Sequence, residues 1–136
     1  MAAAMTMKVL YELPPESTSP NDGVAFWRHV RFEYIRDRAW YRRAIEFKGV
    51  VAQRRWGERC MTEWHDEADD RLVEIENSDW LREICADADD DGWRRECSEK
   101  HHYMIGLRDA ATLEVIADSW KLLPEEKAEW PEIPLR

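Results

Sequence analysis

Asp87, Asp89, Asp90 and Asp91 crowd into five positions and are followed by Gly92. Alternate carboxylates in the order D-x-D-x-D-G converge on a hard cation, and the glycine permits the sharp turn this needs. The chemistry this spacing would serve is binding of a divalent ion such as calcium, with Asp87, Asp89 and Asp91 as ligands. The helix predicted just before these residues gives them a second physical role. Carboxylates at a helix C-terminus oppose its dipole, so the cluster gains from any neutralising charge. A further group, His65, Asp66, Glu67, Asp69 and Asp70, holds the residue types of hydrolytic metal centres. It lacks the H-E-x-x-H order, and His65 with Asp69 is a single i, i+4 pair.

The Asp87 loop resembles the opening of an EF-hand over six residues and then departs from it. The twelfth position is Ser98 rather than a bidentate glutamate, and the eighth and ninth are Arg94 and Arg95. A solvated acidic turn, neutralised by those arginines, is the favoured reading. No cofactor is expected beyond a weakly held divalent ion. Nucleophilic catalysis has less support. Ser17, Ser19, Ser78, Ser98 and Ser119 sit in no nucleophile elbow, and Cys60, Cys85 and Cys97 match no catalytic or metal spacing. His101 and His102, being adjacent, point to opposite faces of a strand, which implies one packed and one exposed ring. An enzyme is the less favoured class, with the His65–Asp70 cluster as its candidate site.

Charge is sorted along the chain more clearly than catalytic residues are. Residues 28–59 carry ten Lys/Arg against four Asp/Glu, whereas 60–99 carry four Arg against fifteen Asp/Glu. The basic block is threaded with aromatic residues, the combination that suits single-stranded nucleic acid. The protein as a whole carries −9, which opposes nucleic-acid binding. Internal pairing of the basic block with the acidic one is the preferred reading. Eight tryptophans imply a well-shielded core rim, with one or two left as interface anchors.

The elements that must position these residues are strands and short helices. Strands are predicted near 7–13, 44–55, 72–76, 101–107 and 113–118, with one more over 30–36. Gly49 inside the second implies a bulge or a close backbone approach. Ser78 reads as the N-cap of a helix over 79–88, carrying an apolar stripe at Leu81, Ile84, Cys85 and Ala88. A second helix is expected near 21–30 and a short one from Trp93 to about Lys100. The last strands form a hairpin around 108–112, with Ile105 expected against Ile116 and Tyr103 against Asp118. Both its faces are apolar, which argues for central strands.

Together these imply an α+β fold: a mainly antiparallel sheet, two or three short helices packed on one face, and a C-terminal hairpin. One domain over 1–123 and a Pro/Trp-containing tail over 124–136 are expected. The expected core is Ile45, Phe47, Val51, Leu72, Ile75, Leu81, Ile84, Tyr103, Ile105, Leu113, Val115 and Ile116. No signal peptide or membrane span is read, and the odd cysteine count suggests free thiols in a cytoplasmic protein; its short, acidic, motif-poor style suggests a bacterial or phage origin. The favoured function is a small acidic protein-binding module, an inhibitor or immunity/antitoxin-type protein, as monomer or homodimer. Its partner is a basic protein, and nucleic acid and membrane are disfavoured. The residues expected at that interface are Glu63, Trp64, Asp66, Glu67, Asp69, Asp70, Asp90 and Trp93.

Overall fold

Val30, Phe32 and Tyr34 alternate with Arg31, Glu33 and Ile35, and this pattern folds as a strand. A computed structural model of the chain describes residues 4–18, 29–56, 63–66, 68–87, 91–107 and 112–127. His29–Arg36 (β2) turns back directly into Ala39–Lys48 (β3). The two residues between, Asp37 and Arg38, both have positive φ, at 52° and 66°. That is the twist of a two-residue hairpin turn, in a sequence that lacks the usual Asn-Gly signature. The helix expected over 21–30 is replaced by strand at His29 and Val30, and its remainder lies outside the described residues.

The other strands are Thr6–Glu12 (β1), Ala52–Trp56 (β4), Arg71–Glu76 (β5), His101–Gly106 (β6), Thr112–Ala117 (β7), Ser119–Leu122 (β8) and Glu126–Lys127 (β9). They form a five-stranded antiparallel sheet in the order β1-β5-β6-β7-β4, and a second sheet in the order β2-β3-β8, with β9 also on β3. One turn at Glu63–Asp66 (α1) and two eight-residue helices, Asp79–Ala86 (α2) and Asp91–Ser98 (α3), complete an α+β fold. The β6–β7 hairpin is central, as its two apolar faces imply, but β8 and β9 follow it. Its register differs from the expected one, which set Ile105 against Ile116 and Tyr103 against Asp118. Ile105 faces Leu113 and Tyr103 faces Val115, because Gly106 pairs with Thr112 and the five residues between the strands are 107–111 rather than 108–112.

One strand expected over 44–55 is two strands meeting at a corner. Lys48 pairs with Ser119 and Ala52 with Ile116, so Gly49–Val51 oppose only Ala117 and Asp118. This extra residue lets a long ladder pass from one sheet to the other. Gly49 takes φ 67°, and a Cβ there would overlap the Asp118 carboxylate. Lys100 clasps the corner, its ammonium 2.6 Å from Asp118 Oδ1 and 3.3 Å from the Gly49 carbonyl.

Alternation then decides what each face does. Val30, Phe32, Tyr34, Ile45 and Phe47 from one sheet and Leu72, Tyr103, Ile105, Leu113 and Val115 from the other form a single core between the sheets. Each such side chain contributes roughly 1.5–3 kcal/mol. On the far face of the larger sheet, Val73, Ile75 and Met104 pack with Ala68, Met7 and Trp64. Nine of the twelve expected core residues are buried, whereas Val51, Leu81 and Ile84 are half-buried. Val51 sits in the corner, and the other two belong to a helix with no fully buried residue. The six described tryptophans, 40, 56, 64, 80, 93 and 120, are all partly buried.

Cys85 and Cys97 form a disulfide joining α2 to α3, with Cα atoms 5.5 Å apart. This corrects the expectation of free thiols: the two helices fold back to back and bring cysteines twelve residues apart into bonding reach. Cysteine usage therefore no longer argues for a reducing compartment. Among the described residues no helix is long and apolar enough to cross a membrane.

The corner makes a prediction. Gly49→Ala forces a Cβ into Asp118 at a positive φ and should cost about 1–3 kcal/mol, read as a lower thermal midpoint. A variant as stable as wild type would show that the corner tolerates a side chain.

Candidate functional site

A glutamate at the middle of an apolar strand is the most demanding residue in the chain. Glu114 on β7 is 1% exposed. Arg54, directly across from it on β4, donates through Nε at 2.7 Å and a terminal nitrogen at 3.0 Å. Trp56 Nε1 donates to the same carboxylate. His102 Nε2, on β6, lies 2.7 Å from Glu114 Oε1. Burial alone would push this carboxyl up. The hydrogen bonds from His102, Arg54 and Trp56 outweigh that and hold it at about 2. An ionised Glu114 accepts from every side, so His102 Nε2 carries a proton. The other ring nitrogen, Nδ1, is hydrogen-bonded to the Ser78 hydroxyl at 2.6 Å.

Ser78 is also the N-cap of α2, its oxygen accepting from Leu81 N–H at 3.0 Å. The relay thus runs from the first turn of the helix to the centre of the sheet. Trp80 packs edge-on against His102, with ring centroids 5.1 Å apart, and the Arg54 guanidinium lies 4.1 Å from the Trp80 ring. Together these contacts seat α2 on the sheet face opposite the second sheet.

Serine, histidine and glutamate in hydrogen-bonded order are the residue types of a nucleophile, a base and an orienting acid. Here they are committed to structure. Ser78 is 5% exposed, and its oxygen is held by a backbone amide. Glu114 is neutralised by Arg54. His101, the other ring of the pair, is half-exposed and bonds Glu74 at 2.7 Å. One packed and one exposed histidine is the outcome that strand alternation implies.

The helices so seated carry the acidic segment. Glu83, Asp87, Glu96 and Glu99 are exposed and form no ion pair among the described residues. Asp79 pairs with Arg82, and Asp91 pairs with Arg94 at 3.4 Å. Asp87 caps the C-terminus of α2, an unfavourable place for a negative charge, while Asp91 gains from the first turn of α3. The basic block lies elsewhere. Arg36 and Arg54 pair with Glu125 and Glu114, outside residues 60–99.

The residues singled out by sequence are spread around this layer. Trp64 packs against the helix-side core. His65 is buried, its ring centroid 4.8 Å from that of Trp56. Asp69 is exposed, and Asp70, at φ 56°, accepts Leu13 N–H through its carbonyl at 2.9 Å. Their loop is laced to Gly106, where a Cβ would meet the Ala68 carbonyl. Trp93 is half-buried with the Lys100 ammonium 6.0 Å from its ring. The side chains of Glu63 and Asp66, and all of Glu67, Asp89 and Asp90, lie outside the described residues. So does Cys60. Among the described residues no three metal-ligating side chains gather. Sequence reading missed Arg54, Trp56 and Glu114; the signal was a lone acid inside Leu113–Ala117.

No protein-family model matches the chain, and no curated protein or solved structure matches it either.

Two outcomes follow. A carboxyl held at about 2, against an ordinary 4.5, stabilises the fold fully above pH 4.5 and loses that effect as pH falls towards 2. Glu114 should therefore account for a loss on the order of 2–3 kcal/mol over that window. Glu114→Gln should be less stable at neutral pH and lack that part of the acid slope. Urea titrations at stepped pH measure both, and equal slopes in the two proteins would contradict the assignment. For the disulfide, Cys85→Ser with Cys97→Ser should lower stability by about 2–3 kcal/mol. An unchanged melting curve would show that the staple adds nothing.

Proposed function

We propose that this protein is a small acidic binding module that docks a basic protein partner through residues 60–99, as an inhibitor or immunity/antitoxin-type protein does. The observation that carries the proposal is the set of exposed carboxylates at Glu83 and Glu96, on two helices stapled together, and at Asp87 and Glu99, just past their C-terminal ends. Unpaired carboxylates repel one another, and a basic surface relieves that repulsion. The same field steers a cationic partner and raises its association rate. A rigid face loses little entropy on binding.

The test is reversal of charge on this face alone. Wild type used as bait should retain a basic protein, and its association rate should fall steeply with salt. Replacing Glu83, Asp87, Glu96 and Glu99 by Lys should slow association by roughly 10–1000-fold. Exposed positions contribute little to stability, so the melting midpoint should move by a few degrees at most. A partner that binds the reversed variant with wild-type affinity sinks the proposal.

A further inference from the structure

The opposite side of the molecule carries a groove that the acidic face does not use. On the outer surface of β3, Ala44 is a small residue between Arg42 and Glu46, and its cross-strand neighbour on β2 is Arg31. The missing bulk leaves a half-open groove of about 450 Å³, within the range of small-ligand sites. Its far wall is the segment Leu123–Glu126, which is firmly tied down. Leu123 N–H donates to the Ala44 carbonyl at 2.9 Å, and Arg43 Nε donates to the Leu123 carbonyl at 3.0 Å. Glu125 accepts the Tyr34 hydroxyl and both terminal nitrogens of Arg36.

The charges in the groove alternate. Arg42 stands across from Glu33 on β2 and from Glu126 on β9. Arg31 and Arg42 are exposed and form no ion pair among the described residues. Two open guanidinium forks suit a carboxylate, which they bind in bidentate fashion. A phosphate dianion or polyphosphate would meet repulsion from Glu33 and Glu126. A ligand that carries an ammonium beside its carboxylate satisfies both sets.

We propose that this groove binds a zwitterionic ligand of amino-acid or dipeptide size. Its carboxylate lies on Arg31 and Arg42, and its ammonium lies towards Glu33 and Glu126. The site is separate from the acidic face, and either is testable without the other.

An amide NMR titration of the full chain decides the matter, with glycylglycine as probe and acetate and inorganic phosphate as comparators. Glycylglycine should give saturable shifts at 29–33, 42–44 and 123–126, and should bind more tightly than either comparator. Arg31→Gln with Arg42→Gln should weaken it by about tenfold or more, with the melting midpoint unchanged. Glu33→Gln with Glu126→Gln should weaken glycylglycine and strengthen phosphate. The proposal is overturned by any of three results: no saturation, shifts that survive the arginine substitutions, or acetate or phosphate binding as tightly as the dipeptide.

Discussion

A carboxylate cannot enter a protein interior unless other groups replace its water. Glu114 enters fully, and what replaces its water organises much of this molecule. Arg54 and Trp56 bring β4 alongside β7, and His102 comes from β6. Through Ser78, His102 fixes where α2 starts. Removing Glu114 takes a partner from Arg54, Trp56 and His102 together, and a buried polar group left without one costs more than a single hydrogen bond contributes. The network therefore specifies arrangement more than it adds stability, since an apolar cluster of the same volume would serve stability as well.

The layering that results also explains the fate of the charge blocks. The corner at Gly49 leaves β3 in the smaller sheet and carries the chain into β4, the edge strand of the larger one beside β7. Arg31, Arg42 and Lys48 thereby reach the outside of one layer, while the acids of α2 and α3 occupy the outside of another. An acidic helical face and an outer face of alternating charge point away from each other. The basic block is in part neutralised from within, by Glu46, Glu125 and Glu114, and its outer surface also carries a groove.

Local chemistry made part of this legible. Apolar alternation located β1, β2, β5, β6 and β7, and Ser78 followed by a stripe at Leu81, Ile84 and Cys85 located α2 and its cap. Gly49 marked a bulge, which the ladder uses to change sheets. What was not legible depends on contacts between distant segments. The β2–β3 turn at Asp37 and Arg38 is adopted without turn-forming residues, because the flanking strands pair along their whole length. The register of β6 and β7 follows from the pairing of Gly106 with Thr112, which places the connection at 107–111. The Cys85–Cys97 bond requires α2 and α3 to pack together. The acidic segment was legible from composition, yet what supports it was not: Glu114 reads as one polar residue in an apolar run until Arg54 and His102 are brought beside it.

The central claim is that the buried Glu114 carboxylate holds the acidic helical face in place through His102 and Ser78. Amide hydrogen exchange at Leu81, compared between wild type and Glu114→Gln, tests it most directly, with amides of β2 and β3 as the internal reference. The account predicts that Leu81 and the rest of α2 exchange faster in the variant while Val30 and Ile45 keep most of their protection. Equal protection of α2 in the two proteins, or a uniform loss across both sheets, would contradict it.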